Sequence, residues 1–280
     1  MITIKIAGIV QKYKQVLLFS MKNRELCKNN YLTFYDMPNN CDWNGGRVNR
    51  DIEITEAMLK GMDNNGWGFF LGFTNNVILD VQDEVGNKLL EMVSKYDNNG
   101  VILQSEALRR YIRQNYKNLK LIYSITGHPT SDHLDFEAYY KEIESKYDLI
   151  VPKYSHLDKV LGLLEEGKLD PSKYEILIND NCNATCTMYK EHFDQINTLN
   201  RQFTTPWEDN HALAEQIEIK PKTKKSIKNA HCIQDDIPYD FLQRFANTGV
   251  THFKVSGRDL EEYEFDYRLK THLTTLGGLV

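Results

Sequence analysis

GVILQSEALRRYIRQNYKNLKLIYSIT, residues 100–126, reads as strand, helix, strand. The two ends, GVILQS (100–105) and LKLIYSIT (119–126), are continuous apolar runs rather than alternating ones. Strands buried on both faces of a parallel sheet have that pattern. Between them Ser105 stands at an N-cap position, and Leu108, Ile112 and Tyr116 return to one helical face. Two parallel strands joined by a helix make one right-handed crossover unit.

The unit recurs along the chain. Further strand runs are ITIKIAGIV (2–10), YLTFYDMP (31–38), WGFFLGFT (67–74), DLIVPKY (148–154), YEILIND (174–180) and THFKVSGR (251–258). Helical stretches lie between them: TEAMLKGMDNN behind an N-cap at Thr55, NKLLEMVSKYDNNG ending at Gly100, DFEAYYKEIESKYD and SHLDKVLGLLEEGK. Eight such strands predict a single-domain (β/α)₈ barrel of the TIM type over residues 1–280. A doubly wound open sheet is the rival, but it would need a crevice that no glycine-rich phosphate fingerprint marks. The segment 200–235, long, polar and lysine-rich, breaks the rhythm and reads as an insertion within the barrel. Its KPKTKKSIK run suits either a solvated loop or a phosphate contact.

A chain of 280 residues with 41% hydrophobic and 26% charged residues can bury a large core and is ordinary for a globular protein. Its net charge of −5 argues against a strongly basic nucleic-acid binder. The opening MITIKIAGIVQKYKQ has too short an apolar run for a secretory signal, and no run reaches the roughly 18 apolar residues of a membrane span. Five cysteines at uneven spacing make a poor disulfide framework, so a reducing, cytoplasmic setting without membrane contact is expected.

Most notable polar residues fall just after strand ends. They are Asp36, Cys41 and Arg47 after the second strand, Asn75 after the third, Gln104 at the fourth and His128 after the fifth. Tyr154 ends the sixth, Asn179, Asp180 and Cys182 the seventh, and Ser256 and Arg258 the eighth. A barrel gathers all of these at its C-terminal rim, where catalytic sites are built.

Cys182 and Cys186 form a C-x₃-C pair at the mouth of the seventh strand. Thiolates are soft ligands that suit zinc or an iron–sulfur cluster. Cys232 is a third arm of such a site and Cys41 a fourth, whereas Cys27 in a helical stretch reads as a packed thiol. The spacing is not that of a zinc ribbon, and Tyr189 stands where a radical-SAM motif would need a third cysteine. Asp36 and Asp180 are candidate carboxylates, His128 a candidate acid/base, His192 a residue facing the cysteines, and Arg258 an anion anchor. No G-x-S-x-G elbow and no P-loop is present.

Taken together, ILINDNCNATCTMYKEHF (176–193) and IPYDFLQRFANTGVTHFKVSGR (237–258) resemble the U32 peptidase family. The resemblance rests on Asn179, Asp180, Cys182, Cys186, His192 and the Phe253–Arg258 run, with FYDMPNNCDWNGGR (34–47) and KNLKLIYSIT (117–126) as further likenesses. It implies a (β/α)₈ barrel with a cysteine-ligated 4Fe–4S cluster at the strand C-termini. It also implies oxygen-independent hydroxylation, since relatives look like hydroxylases of tRNA or rRNA bases or of ubiquinone precursors. Carried over, Cys182, Cys186 and Cys232 would hold the cluster, with either Cys41 as a fourth ligand or one iron open to substrate or water, and Arg258 would be a rim anchor. Arg47, Asn75, Tyr154, Asn179 and His192 would line a pocket for a small-molecule or nucleobase substrate. The alternatives are a zinc-dependent peptidase and a non-catalytic accessory barrel. Homo- and hetero-oligomers are both open.

Overall fold

Every apolar run of the sequence forms a strand, though most are shorter than the run. In the computed structural model they are β1 (Ile2–Ala7), β2 (Asn30–Asp36), β3 (Gly68–Phe73), β4 (Gly100–Leu103), β5 (Lys120–Tyr123), β6 (Leu149–Ile150), β7 (Glu175–Leu177) and β8 (His252–Val255). The structure describes residues 2–28, 30–38, 41–45, 53–76, 78, 81–129, 134–179, 190, 193–194, 197, 237–256 and 262–279. The insertion 200–235 lies outside them.

All pairings are parallel, in the order β6-β5-β4-β3-β2-β1-β8-β7. A single parallel bridge between Ile150 and Tyr174 then joins β6 to the residue before β7. The eight-stranded sheet therefore closes on itself, with β6–β7 as its thinnest seam. This is a (β/α)₈ barrel.

Helices follow the strands: α1 (Ile9–Lys22), α2 (Arg24–Lys28), α3 (Glu56–Asn64), α4 (Glu84–Val93), α5 (Glu106–Asn115), α6 (Phe136–Glu144), α7 (Leu157–Glu165), α8 (Tyr239–Asn247) and α9 (Glu262–Gly277). Short polar side chains start four of them. Thr55, Asp83, Ser105 and Asp135 each accept a backbone N–H from the first turn of α3, α4, α5 and α6.

Two boundaries differ from the sequence expectation, each for a local reason. The run 2–10 ends as strand at Ala7, because Gly8 takes a left-handed turn (φ 77°) and α1 begins at Ile9. The helix expected to run to Gly100 stops at Val93. Asn99 explains the stop: its amide donates to the Val93 carbonyl at 3.0 Å, and its oxygen accepts the Phe69 N–H of β3 at 2.8 Å. One side chain thus closes α4 and starts the neighbouring strand.

Strand alternation sorts the core into two bodies. Ile4, Ile6, Leu32, Phe34, Phe69, Leu71, Phe73, Phe253 and Val255 point outward into the cluster shared with the helices. Ala7, Tyr35, Phe70, Ile102, Ile122, Leu149, Val151 and Leu177 form a separate apolar plug inside the barrel. Two residues earlier on β1, β2 and β7 the same inward face carries Lys5, Thr33 and Glu175. The lumen is therefore apolar towards the C-terminal rim and polar beneath it.

Candidate functional site

The inward face continues past the apolar plug as a polar ring at the C-terminal mouth. Two residues beyond Ile102, Ile122, Val151, Leu177 and Lys254 stand Gln104, Ser124, Lys153, Asn179 and Ser256. Period-2 alternation brings these five to one opening.

The β7 and β8 ends are locked together. The Asn179 amide donates to the Ser256 carbonyl at 2.9 Å, and the Asn179 side-chain oxygen accepts the Ser256 N–H at 2.7 Å. The Ser256 hydroxyl donates to the Asn179 carbonyl, also at 2.7 Å. Asn179, expected to bind substrate, thus spends both ends of its amide on the backbone beside it. Its buried position makes the lock rigid. The next residues in sequence are Asp180 after Asn179 and the Gly257–Arg258 pair after Ser256.

The opposite side of the mouth is shaped by residues 41–45. Asn75 is fully buried and donates to the Asp42 carbonyl at 2.9 Å, while its N–H donates to the Trp43 carbonyl at 3.0 Å. Trp43 inserts into the core, with its ring 5.1 Å from that of Phe73. Asp83 receives the Asp42 N–H at 2.9 Å while capping α4. Two glycines make this packing possible: a Cβ on Gly86 would fall 2.3 Å from the Trp43 ring, and one on Gly45 would fall 2.2 Å from the Thr74 carbonyl. Asn75 is therefore a loop anchor, not a free contact for substrate. Asn76 bonds Asp194, and Asn197 donates to Asn76 at 2.7 Å, so Asp194 and Asn197 dock beside the end of β3.

Other predicted site residues have structural partners. The Asp36 carboxylate accepts the Val10 N–H of α1 at 3.0 Å and its neighbour Met37 N–H at 2.9 Å, holding the turn between β1 and α1. His128 is buried in an aromatic nest of Tyr123, Tyr139, Tyr140 and His156. Its Nε2 lies 2.8 Å from the Val151 carbonyl and its Nδ1 lies 3.1 Å from the Tyr139 hydroxyl. Nε2 therefore donates and Nδ1 accepts, which occupies both ring nitrogens. Burial drives its pKa down to about 3, so the ring is neutral. An acid/base role for His128 is not what this geometry provides. Tyr154 is half-buried against the core in a 3₁₀ turn.

Cys41 is buried in the outer core, and burial first and the Asp83 carboxylate second push its thiol pKa well up. Cys27 is half-buried against the same core, as a packed thiol should be. Arg47, Asp180, Cys182, Cys186, His192, Cys232 and Arg258 lie outside the described residues. Among the described residues no group of three or more histidines, cysteines and carboxylates is placed to hold a metal.

Sequence reading missed four buried charged residues. Lys153 stands at the mouth, and Lys254 lies inside the barrel with its ammonium 4.1 Å from the Tyr35 ring centroid. Lys5 pairs with Glu175 at 2.6 Å, both side chains fully buried, with the Lys5 ammonium also 3.7 Å from the Phe70 ring. Burial lowers the Lys5 pKa and Glu175 partly restores it. The only signal for them in the sequence was a charged residue at an inward position of an otherwise apolar strand.

Among the described residues no helix is long and apolar enough to cross a membrane. No family model and no curated protein matches the chain. Among solved structures, that of a U32 peptidase superposes with a TM-score of 0.55, covering 92% of this chain and 93% of the other at 8% identity. At that identity the likeness is one of fold, and the fold that the two share is the barrel just described.

Proposed function

We propose that the chain is an iron–sulfur barrel enzyme of the U32 type. Its reaction would be oxygen-independent hydroxylation, or a related redox modification, of an anionic small molecule or nucleobase. The observation that carries this reading is the Asn179–Ser256 lock. It binds together the two strand ends from which the cysteine-bearing run and the Ser-Gly-Arg corner depart, so the two motifs of the family resemblance share one exit from the barrel. The fold likeness to a U32 peptidase supports it independently.

Cys182, Cys186 and Cys232 would supply the soft thiolates that a 4Fe–4S cluster takes, while Cys41 is packed in the outer core. Such a cluster would contribute one-electron chemistry and, with three protein ligands, an iron open to an exogenous group. The chain's own part is to bind and orient. Lys153 at the mouth and Lys254 inside the barrel add buried positive charge near it, and Arg258, two residues after Ser256 in sequence, would join them in favouring an anion.

A second reading, a metal-dependent peptidase, is favoured by the name of the solved structure with the same fold. Anaerobic purification with iron, acid-labile sulfide and zinc assays separates the two. Brown protein with stoichiometric iron and sulfide, lost in Cys182→Ser/Cys186→Ser, supports the cluster. Zinc without sulfide supports the peptidase, and a metal-free protein leaves an accessory barrel.

A further inference from the structure

The polar half of the lumen, beneath the apolar plug, contains three buried atoms that make no hydrogen bond among the described residues: Glu175 Oε1, Thr33 Oγ1 and His252 Nδ1. Strand register and one ion pair link them in a chain. Glu175 is paired with His252 across β7–β8, and Lys5 is paired with Thr33 across β1–β2. The Lys5–Glu175 ion pair, at 2.6 Å, ties the two ends of this set together. Burial lowers the His252 pKa, with the Glu175 charge opposing and the Lys5 and Lys120 charges adding to the shift. Glu175 and Thr33 are at most 3% exposed.

Buried polar atoms are almost always satisfied, and leaving three of them dry would cost free energy comparable to three lost hydrogen bonds. The chemistry of the missing partner is constrained from each side. A cation would sit against the Lys5 ammonium, and an anion would sit against the Glu175 carboxylate. An apolar molecule would leave all three atoms unsatisfied. What remains is a small neutral group able to donate to Glu175 Oε1 and to exchange hydrogen bonds with a hydroxyl and a ring nitrogen.

We propose that the barrel floor is a built water site, in which ordered water bridges Glu175, Thr33 and His252 and hydrates the Lys5–Glu175 pair inside the sheet. Buried waters generally make about three hydrogen bonds to groups that have no other partner, which matches this set. The site is separate from the catalytic mouth, since Ala7, Tyr35, Phe70 and Leu177 stand between them. It explains how the closure side of the barrel tolerates a buried ion pair at all.

Thr33→Val tests the sign of the effect. If the floor is hydrated, valine removes a hydrogen bond to the water and Tm falls by a few degrees. If it is dry, valine relieves an unsatisfied hydroxyl, and Tm holds or rises. Thr33→Ser, which keeps the hydroxyl, should retain the hydration of the wild type and serves as the packing control. Oxygen-17 magnetic relaxation dispersion then counts long-lived internal waters directly. The expected result is fewer such waters in Thr33→Val than in wild type and Thr33→Ser, together with the lower Tm. An unchanged water count, or a Thr33→Val protein at least as stable as wild type, overturns the proposal.

Discussion

Asn179 and Ser256, 77 residues apart in the chain, are joined by three hydrogen bonds at the C-terminal ends of β7 and β8. Two of the three belong to the Asn179 side chain, so Asn179→Ala removes them and leaves one. The expected loss is about 1–3 kcal/mol of unfolding free energy. Asn179→Asp keeps the acceptor for the Ser256 N–H but sets a carboxylate against the Ser256 carbonyl, so it should not rescue. Urea denaturation measures both variants. If cluster content under anaerobic purification falls further than the folded fraction does, the lock positions the cysteine run as well as the strands.

The buried Lys5–Glu175 pair gives a prediction of opposite signs. Glu175→Gln leaves the Lys5 ammonium buried without a counter-charge and should cost about 3–5 kcal/mol. Replacing both partners, Lys5→Met with Glu175→Leu, removes two desolvation penalties together and should restore most of that loss. A double variant no more stable than Glu175→Gln would show that the pair itself holds the barrel closed.

His128 predicts the acid limb of the stability curve. Its folded pKa is about 3 and its ordinary value is 6.5. Between those values the unfolded chain binds the proton and the folded chain does not, so stability is complete above about pH 6.5 and drains away as pH falls towards 3. His156, lowered to about 4 by burial and by the nearby Lys153, acts in the same direction. His128→Gln keeps a donor for the Val151 carbonyl but cannot titrate. Urea midpoints across this range should therefore fall less steeply in the variant, by up to about 1.4 kcal/mol per pH unit. Equal slopes would place the proton elsewhere.

Two glycines should respond oppositely to alanine. At Gly45 the new Cβ would meet the Thr74 backbone at 2.2 Å, and backbone cannot rotate away. Gly45→Ala should therefore lower Tm, by the equivalent of about 1–3 kcal/mol, and lift residues 41–45 from the end of β3. Gly162 lies inside α7 with open space around it. Gly162→Ala should raise stability by about 0.5–1 kcal/mol, because alanine loses less backbone entropy in a helix.

The sequence by itself determined the architecture. Continuous apolar runs separated by amphipathic stretches can be buried only as parallel strands beneath helices, and eight of them make a barrel whose C-terminal ends share a rim. Caps such as Thr55 and Ser105 were legible because capping is local chemistry within a few residues. Residue roles at the rim were not. Asp36, Asn75, His128 and Asn179 look like site residues in one dimension, and each is engaged by backbone or side chains brought from elsewhere in the fold. The polar floor was equally hidden, since Lys5 and Glu175 are 170 positions apart and meet only when the sheet curls so that β1 and β7 both flank β8. Periodicity specifies which face a residue occupies. Only tertiary closure decides what stands opposite it, because hydrogen-bond partners and counter-charges are properties of distance in space.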